Sequence, residues 1–220
     1  MKPSAAEVRK NHILVELFVI TFLVLSFGCS NGDDEADNDI DPEIESRTSN
    51  CGTYPAEENS PFILPYNQGE SYRIMQANCT NNSHREGTLG QFAYDFEMPI
   101  GTDILAVRTG QVVAVEESFA NVTTTQRPGE ENFVIINNSD GTQDRYFHLD
   151  QDGVHVIVGQ RVLQGTRIAT GGNSGGTPRP HLHLEVIRPS ANGGTPIPVT
   201  FSNTRPHPTG LIAGESYEAN

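Results

Sequence analysis

Tryptophan is absent from this 220-residue chain, and aromatic residues make up only 7% of it. No stretch carries three turns of amphipathic-helix periodicity, which argues against a helical bundle. No apolar run reaches the roughly 20 residues that a membrane-spanning helix takes. Basic residues are scarce: 14 Lys and Arg stand against 28 Asp and Glu, a formal net charge of −14. A nucleic-acid partner would need a basic footprint, so none is expected. Cysteine is rare and odd in number, at three. What is plentiful is punctuation: 21 Gly and 14 Pro, the composition of a turn-rich β protein.

The chain is unevenly organised. Lys2, Arg9 and Lys10 form a basic head, followed by an apolar run from Leu17 to Gly28 that stops at Cys29. Twelve residues are too few to span a bilayer, and the pattern reads as an export signal over residues 1–28. Gly28-Cys29 resembles the lipobox of bacterial lipoproteins, although Ser26 and Phe27 depart from it. Lipidation of Cys29 is therefore expected, with a membrane as partner and the cell envelope as location. That leaves Cys51 and Cys79, which outside the cytosol are expected to pair. Residues 29–50 read as a tether. Within them 33–45 carry eight acidic residues and no basic one, a block that repels itself and stays solvated.

From Cys51 onward the composition turns globular. Strand signals are short and separated by turns: Gln91–Glu97, Asp103–Arg108, Gln111–Glu116, Asn132–Ile136, Thr142–Leu149, Val154–Ile157, Arg161–Val162, Arg167–Thr170 and Pro180–Ile187. The expectation is one all-β domain over 51–201, with antiparallel sheets framing an open groove, then a tail over 202–220. A monomer is expected.

Five residues carry chemical interest. In Pro180-His181-Leu182-His183-Leu184, strand alternation puts both imidazoles on one face and both leucines on the other. Two imidazoles so placed can share a metal centre. The same alternation puts Tyr146 and His148 on a common face. In Phe92-Ala93-Tyr94-Asp95-Phe96-Glu97, Asp95 faces away from the aromatics, and burying it requires a partner or a metal. A solvent-facing aspartate on an edge strand remains the alternative at this point. His155 is expected on an outward-facing strand and His207 in an inert tail. Gly171 to Gly176 lacks the following helix and lysine of a phosphate cradle and reads as a mobile groove-rim loop.

The order His84, Asp95, Tyr-x-His148, His181-x-His183 resembles the lysostaphin/LytM-type zinc endopeptidases. FAYDFEMPIGTDILAVRTGQVVAV and VIVGQRVLQGTRIATGGNSGGTPRPHLHLEV are similar to that family's two halves, and the likeness spans roughly residues 62–188. The resemblance implies zinc as cofactor, peptidoglycan as substrate, and Asp95 and His183 as ligands. It implies His148 and His181 at the catalytic positions, where the family's histidines serve as general base and as stabiliser of the oxyanion or orienter of water. Three protein ligands leave the fourth zinc position open, as catalysis requires. The commonest family spacing would put the first histidine at 91, which is Gln. Ser83-His84 resembles a variant with the histidine upstream, with Gly87 and Gly90 letting the loop fold back. Gln91 as a mark of lost zinc is the competing reading. The resemblance also admits two other functions: a metal-free module that binds wall or activates another hydrolase, and a peptidase acting on an exported protein.

Overall fold

The longest strand in the chain shows why the domain forms. Leu182, Leu184 and Val186 alternate with His183 and Glu185, so a strand here buries three aliphatic side chains on one face and aims polar groups from the other. The computed structural model describes residues 51–80, 82–123 and 125–220, excepting the Asn82 side chain. The expected export signal, Cys29 lipidation site and tether lie outside the described residues.

Among the described residues twelve strands occur in chain order: β1 Ser71–Gln76, β2 Tyr94–Glu97, β3 Asp103–Leu105, β4 Gly110–Glu116, β5 Phe133–Asn137 and β6 Gln143–Phe147. They continue with β7 Leu149–Val154, β8 Arg161–Val162, β9 Arg167–Gly171, β10 Leu182–Ser190, β11 Gly193–Pro196 and β12 Ser216–Glu218. Every pairing between these strands is antiparallel. The large sheet runs β12-β1-β2-β10-β6-β5-β4-β8, with β11 hairpinned onto β10. A small sheet, β3-β9-β7, completes the fold. The all-β expectation therefore holds.

One face of the large sheet meets the core. Tyr94 and Phe96 from β2, Leu182, Leu184 and Val186 from β10, Tyr146 from β6 and Val134 and Ile136 from β5 are all buried there. Tyr146 is anchored at its far end, since its hydroxyl accepts a hydrogen bond from the Val107 N–H at 2.9 Å.

Residues 202–220 belong to this domain and are not a separate tail. β12 pairs with β1, Tyr217 and Leu211 are buried, and the Leu211 N–H donates to the Tyr94 hydroxyl at 3.3 Å. His207 is buried within the turn: it accepts from the Phe201 N–H at 2.9 Å and its other ring nitrogen faces the Arg205 carbonyl. Its role is to hold the turn, and its Pro-rich surroundings hid the short strand beyond it. His155 is exposed, as expected.

Cys51 and Cys79 form a disulfide, with Cα atoms 6.1 Å apart. Closing a separation of 28 residues is worth about 3–4 kcal/mol by chain entropy.

Behind the opposite end of the sheet lies a buried acid. Asp144 on β6 is fully buried, and its Oδ1 accepts from Asn138 Nδ2 at 2.6 Å. Its Oδ2 and Asn138 Oδ1 have no hydrogen-bond partner among the described residues. Burial, only partly offset by Asn138 and the distant charge of Arg108, pushes its pKa up from 3.8 to about 7. The unfolded chain therefore ionises first. The contribution of this group to stability is complete below about pH 4 and is lost as pH rises through about 7. Asp144→Asn supplies a donor where Oδ2 has none and removes the titration. At pH 8 it should be more stable than wild type by up to about 4 kcal/mol, and the gap should close toward pH 4. Urea unfolding of both proteins across that range checks this; parallel pH profiles would contradict it.

Candidate metal centre

Three strands set the centre. In the register of the large sheet, His183 on β10 stands opposite Asp95 on β2 and opposite Phe147 on β6. Their side chains leave the sheet on the face away from Leu182 and Leu184. Asp95 Oδ1 lies 2.8 Å from His183 Nδ1.

His84 arrives from outside the sheet. It ends a 3₁₀ turn, Asn82–His84, and is fully buried. Its Nε2 lies 3.2 Å from Asp95 Oδ1 and 3.3 Å from His183 Nδ1. Two restraints bring it there. The disulfide holds Cys79, whose N–H donates to the Gln91 carbonyl at 2.7 Å, so the His84 loop is closed at its base. At Gly90 an added Cβ would sit 2.8 Å from the Ser83 carbonyl oxygen, so only glycine lets the chain pass this close to the histidine turn. Gln91 is occupied elsewhere: its side-chain oxygen accepts from the Gly87 N–H at 2.9 Å.

Thus His84, Asp95 and His183 present three donor atoms mutually within 2.8–3.3 Å. Ligands about 2.0–2.1 Å from a tetrahedral ion stand roughly 3.3–3.4 Å apart, close to what is observed. His84 Nδ1 lies 3.2 Å from the Ala77 carbonyl, which takes its proton and leaves the Nε2 lone pair for a ligand. Two imidazoles and a carboxylate suit a divalent first-row ion.

His181 and His148 complete the cleft. His181 is buried immediately before β10; its Nδ1 lies 2.8 Å from the Arg179 carbonyl and 3.0 Å from the Thr177 hydroxyl. Its Nε2 faces the centre, 3.8 Å from Asp95 Oδ1. His148 corrects the sequence reading. Alternation would keep it on the Tyr146 face, in the core. Its backbone instead adopts φ 63°, in the left-handed region, directly after β6 ends. That twist swings the ring to the metal side, 4.6 Å from the His181 ring and 6.1 Å from the His183 ring. Its Nδ1 donates to the Ser174 carbonyl at 2.8 Å.

The rim loop after β9 is stitched down rather than free. Gly172 N–H donates to the His148 carbonyl, Ser174 is fully buried, and its hydroxyl links the Asn132 N–H to the Leu149 carbonyl. Ser174 thus orients His148, a role that sequence reasoning missed inside a Gly-rich stretch. The resulting cleft is about 470 Å³ and is lined by Met75, Gln126, Glu131 and Phe147 besides the centre's own residues.

The charges follow from burial and pairing. Burial alone would raise the Asp95 carboxyl, but hydrogen bonds and attraction from His183 and His84 outweigh it and hold it well below the usual range. Burial likewise disfavours a charged His183, yet Asp95 and Glu185 push it up to about 10. Burial, then His181 and His183, push His148 down to about 3; burial also lowers His181. Both imidazoles are therefore neutral at neutral pH.

With that geometry in place, the likeness to known proteins can be stated. The peptidase family M23 model matches residues 90–197. Those residues resemble an M23 peptidase domain. The chain is 38% identical over 93 residues to peptidoglycan DD-endopeptidase ShyA of Vibrio cholerae, covering 42% of this chain and 19% of that protein. It is 25% identical over 146 residues to lysostaphin of Staphylococcus simulans, covering 66% of this chain and 26% of that one. A crystal structure of a zinc-containing peptidase from Vibrio cholerae aligns with TM-score 0.44 at 27% identity, over 64% of this chain and 39% of that one. The chain thus spans about a fifth to a quarter of its curated relatives' length. His84 lies ahead of the M23-matched stretch, so geometry rather than the family model brings it to the centre.

Metal binding must expel the proton that His183 holds in the metal-free centre. Zinc affinity should therefore rise about tenfold per pH unit between pH 6 and 8 from this proton. Calorimetric titrations in buffers of different ionisation enthalpy should find at least one proton released at pH 7. Affinity independent of pH would contradict the assigned pair.

Proposed function

We propose that this protein is a zinc-dependent endopeptidase that hydrolyses peptide bonds in peptidoglycan stems or cross-links. The observation that carries the reading is the convergence of His84, Asp95 and His183, with two further neutral imidazoles in the adjoining cleft. The wall substrate is supported by relatives named for cleaving peptidoglycan.

His84 through Nε2, Asp95 through Oδ1 and His183 through Nδ1 would hold the zinc. Bound there, zinc supplies Lewis acidity that activates water and polarises a carbonyl. The remaining work belongs to the chain. With both Nδ1 atoms committed to backbone carbonyls, His181 and His148 each turn a bare Nε2 to the cleft. His181, nearer the carboxylate, accepts the proton of the attacking water and returns it to the leaving amine. His148 accepts a hydrogen bond from the same water and aims it. Once it holds that proton, the His181 ring can stabilise negative charge on the tetrahedral carbon's oxygen. The Ser174, Thr177 and Arg179 contacts keep both rings in register, so no reorganisation is needed as the bond breaks.

An exported, lipid-anchored location on Cys29 suits such an enzyme. At about 3.3–3.6 Å per residue, the acidic segment ahead of the domain would let it reach the wall from a membrane.

His148→Ala and His181→Ala should each keep zinc while turnover of purified peptidoglycan falls by about 10²–10⁴-fold. New amine ends, quantified alongside metal content, provide the check. Wild-type rates in both variants, or no amine release by wild type from any wall preparation, would overturn the proposal.

A further inference from the structure

His183 uses Nδ1 toward the centre, which is possible only if its remaining proton sits on Nε2. In the metal-free centre Nδ1 is protonated too, because it lies 2.8 Å from Asp95 Oδ1 and donates to that carboxylate. Something must favour the Nε2–H form and stop the ring turning over when the metal arrives. Phe147 packs 5.8 Å from the ring on one side and His84 5.1 Å on the other, but neither distinguishes the two nitrogens.

Glu185 does. It follows His183 by two residues on β10, so strand alternation sets it on the same face. It is buried at 6% exposure, and its Oε2 lies 3.7 Å from His183 Nε2. Among the described residues it is the carboxylate that faces this nitrogen. Across the register, Arg145 on β6 stands opposite Glu185 and places a guanidinium nitrogen 3.5 Å from Oε1. Arg145 is itself held by the Gln143 side-chain oxygen at 3.0 and 3.2 Å. An ordered row of groups, Gln143, Arg145, Glu185, His183 and Asp95, thus runs along the face of the sheet into the centre.

We propose that Glu185, backed by Arg145, is a positioning residue that fixes the ring orientation and tautomer of His183 so that Nδ1 faces the metal. The inference rests on the metal centre proposed above. A ligating imidazole whose second nitrogen meets a carboxylate is held in one orientation and made a stronger donor, and losing such a partner typically weakens metal binding about 10–100-fold. A cross-strand Arg–Glu pair with no such role would matter only to sheet stability and would leave metal affinity alone.

The test is zinc affinity of the full chain, by competition with a chelator, with thermal unfolding of the metal-free protein as the fold control. Glu185→Leu should weaken zinc about 10–100-fold, whereas Glu185→Gln, which keeps an acceptor oxygen, should recover most of that loss. Arg145→Met leaves Glu185 in place but unsupported and should weaken zinc by about threefold or more. Nitrogen-15 spectra of the zinc-loaded wild type should show the His183 proton on Nε2. A folded Glu185→Leu that binds zinc within about twofold of wild type overturns the inference. If that variant does not fold, unchanged affinity in Arg145→Met does so. Wild type that binds no zinc overturns the metal centre as well, so the two failures are distinguishable.

Discussion

A carboxylate buried in the middle of a β-sheet is the constraint around which this domain is arranged. Asp95 is 3% exposed, flanked along its strand by Tyr94 and Phe96 on the core face. Alone, an ionised group there would cost several kcal/mol. It is tolerated because the β2–β10 register sets His183 directly against it and the loop closed by the Cys79–Gln91 hydrogen bond delivers His84 from a third direction. The same pairing that satisfies the acid builds a set of metal donors. Remove any one of the three, and the others become uncompensated buried polar groups.

Around this set the chain uses backbone oddities where regular structure would misplace a side chain. His148 is in the left-handed region, which costs a non-glycine residue of order 1–3 kcal/mol and is sustained only by the surrounding network. The Ser174 carbonyl, the Gly172 N–H and the Asn132–Ser174–Leu149 contacts form that network. The rim loop is therefore part of what shapes the cleft, since loosening it would release His148 before it touched any of the three clustered donors.

The site was more legible in the sequence than the fold's borders. His181-Leu182-His183-Leu184 and Asp95 among aromatics announce their faces by period-2 alternation, which β10 and β2 obey. His84 could not be found that way. It lies eleven positions before Asp95 in a loop, and a spacing set by a disulfide and a close-passing glycine leaves no periodic trace. Tyr146 and His148 misled because alternation assumes an unbroken strand, and a single left-handed residue reverses the face. β1, β11 and β12 escaped notice for another reason. Ser71–Gln76 and Ser216–Glu218 bury few side chains, and Gly193–Pro196 holds two glycines and a proline, so hydrogen bonds to neighbours rather than apolar pattern make them strands. Glu185 was visible as a same-face neighbour of His183, but its significance needed the ring's orientation.

The central claim is that His84, Asp95 and His183 hold one metal ion together. It is tested most directly by zinc content per chain in purified wild type and His84→Ala, prepared side by side with metal-free folding confirmed. The account predicts close to one zinc per chain in wild type and loss of most of it in the variant. Full zinc occupancy in His84→Ala would contradict it, because the ligand brought in by the loop between Cys79 and Gln91 would then be dispensable.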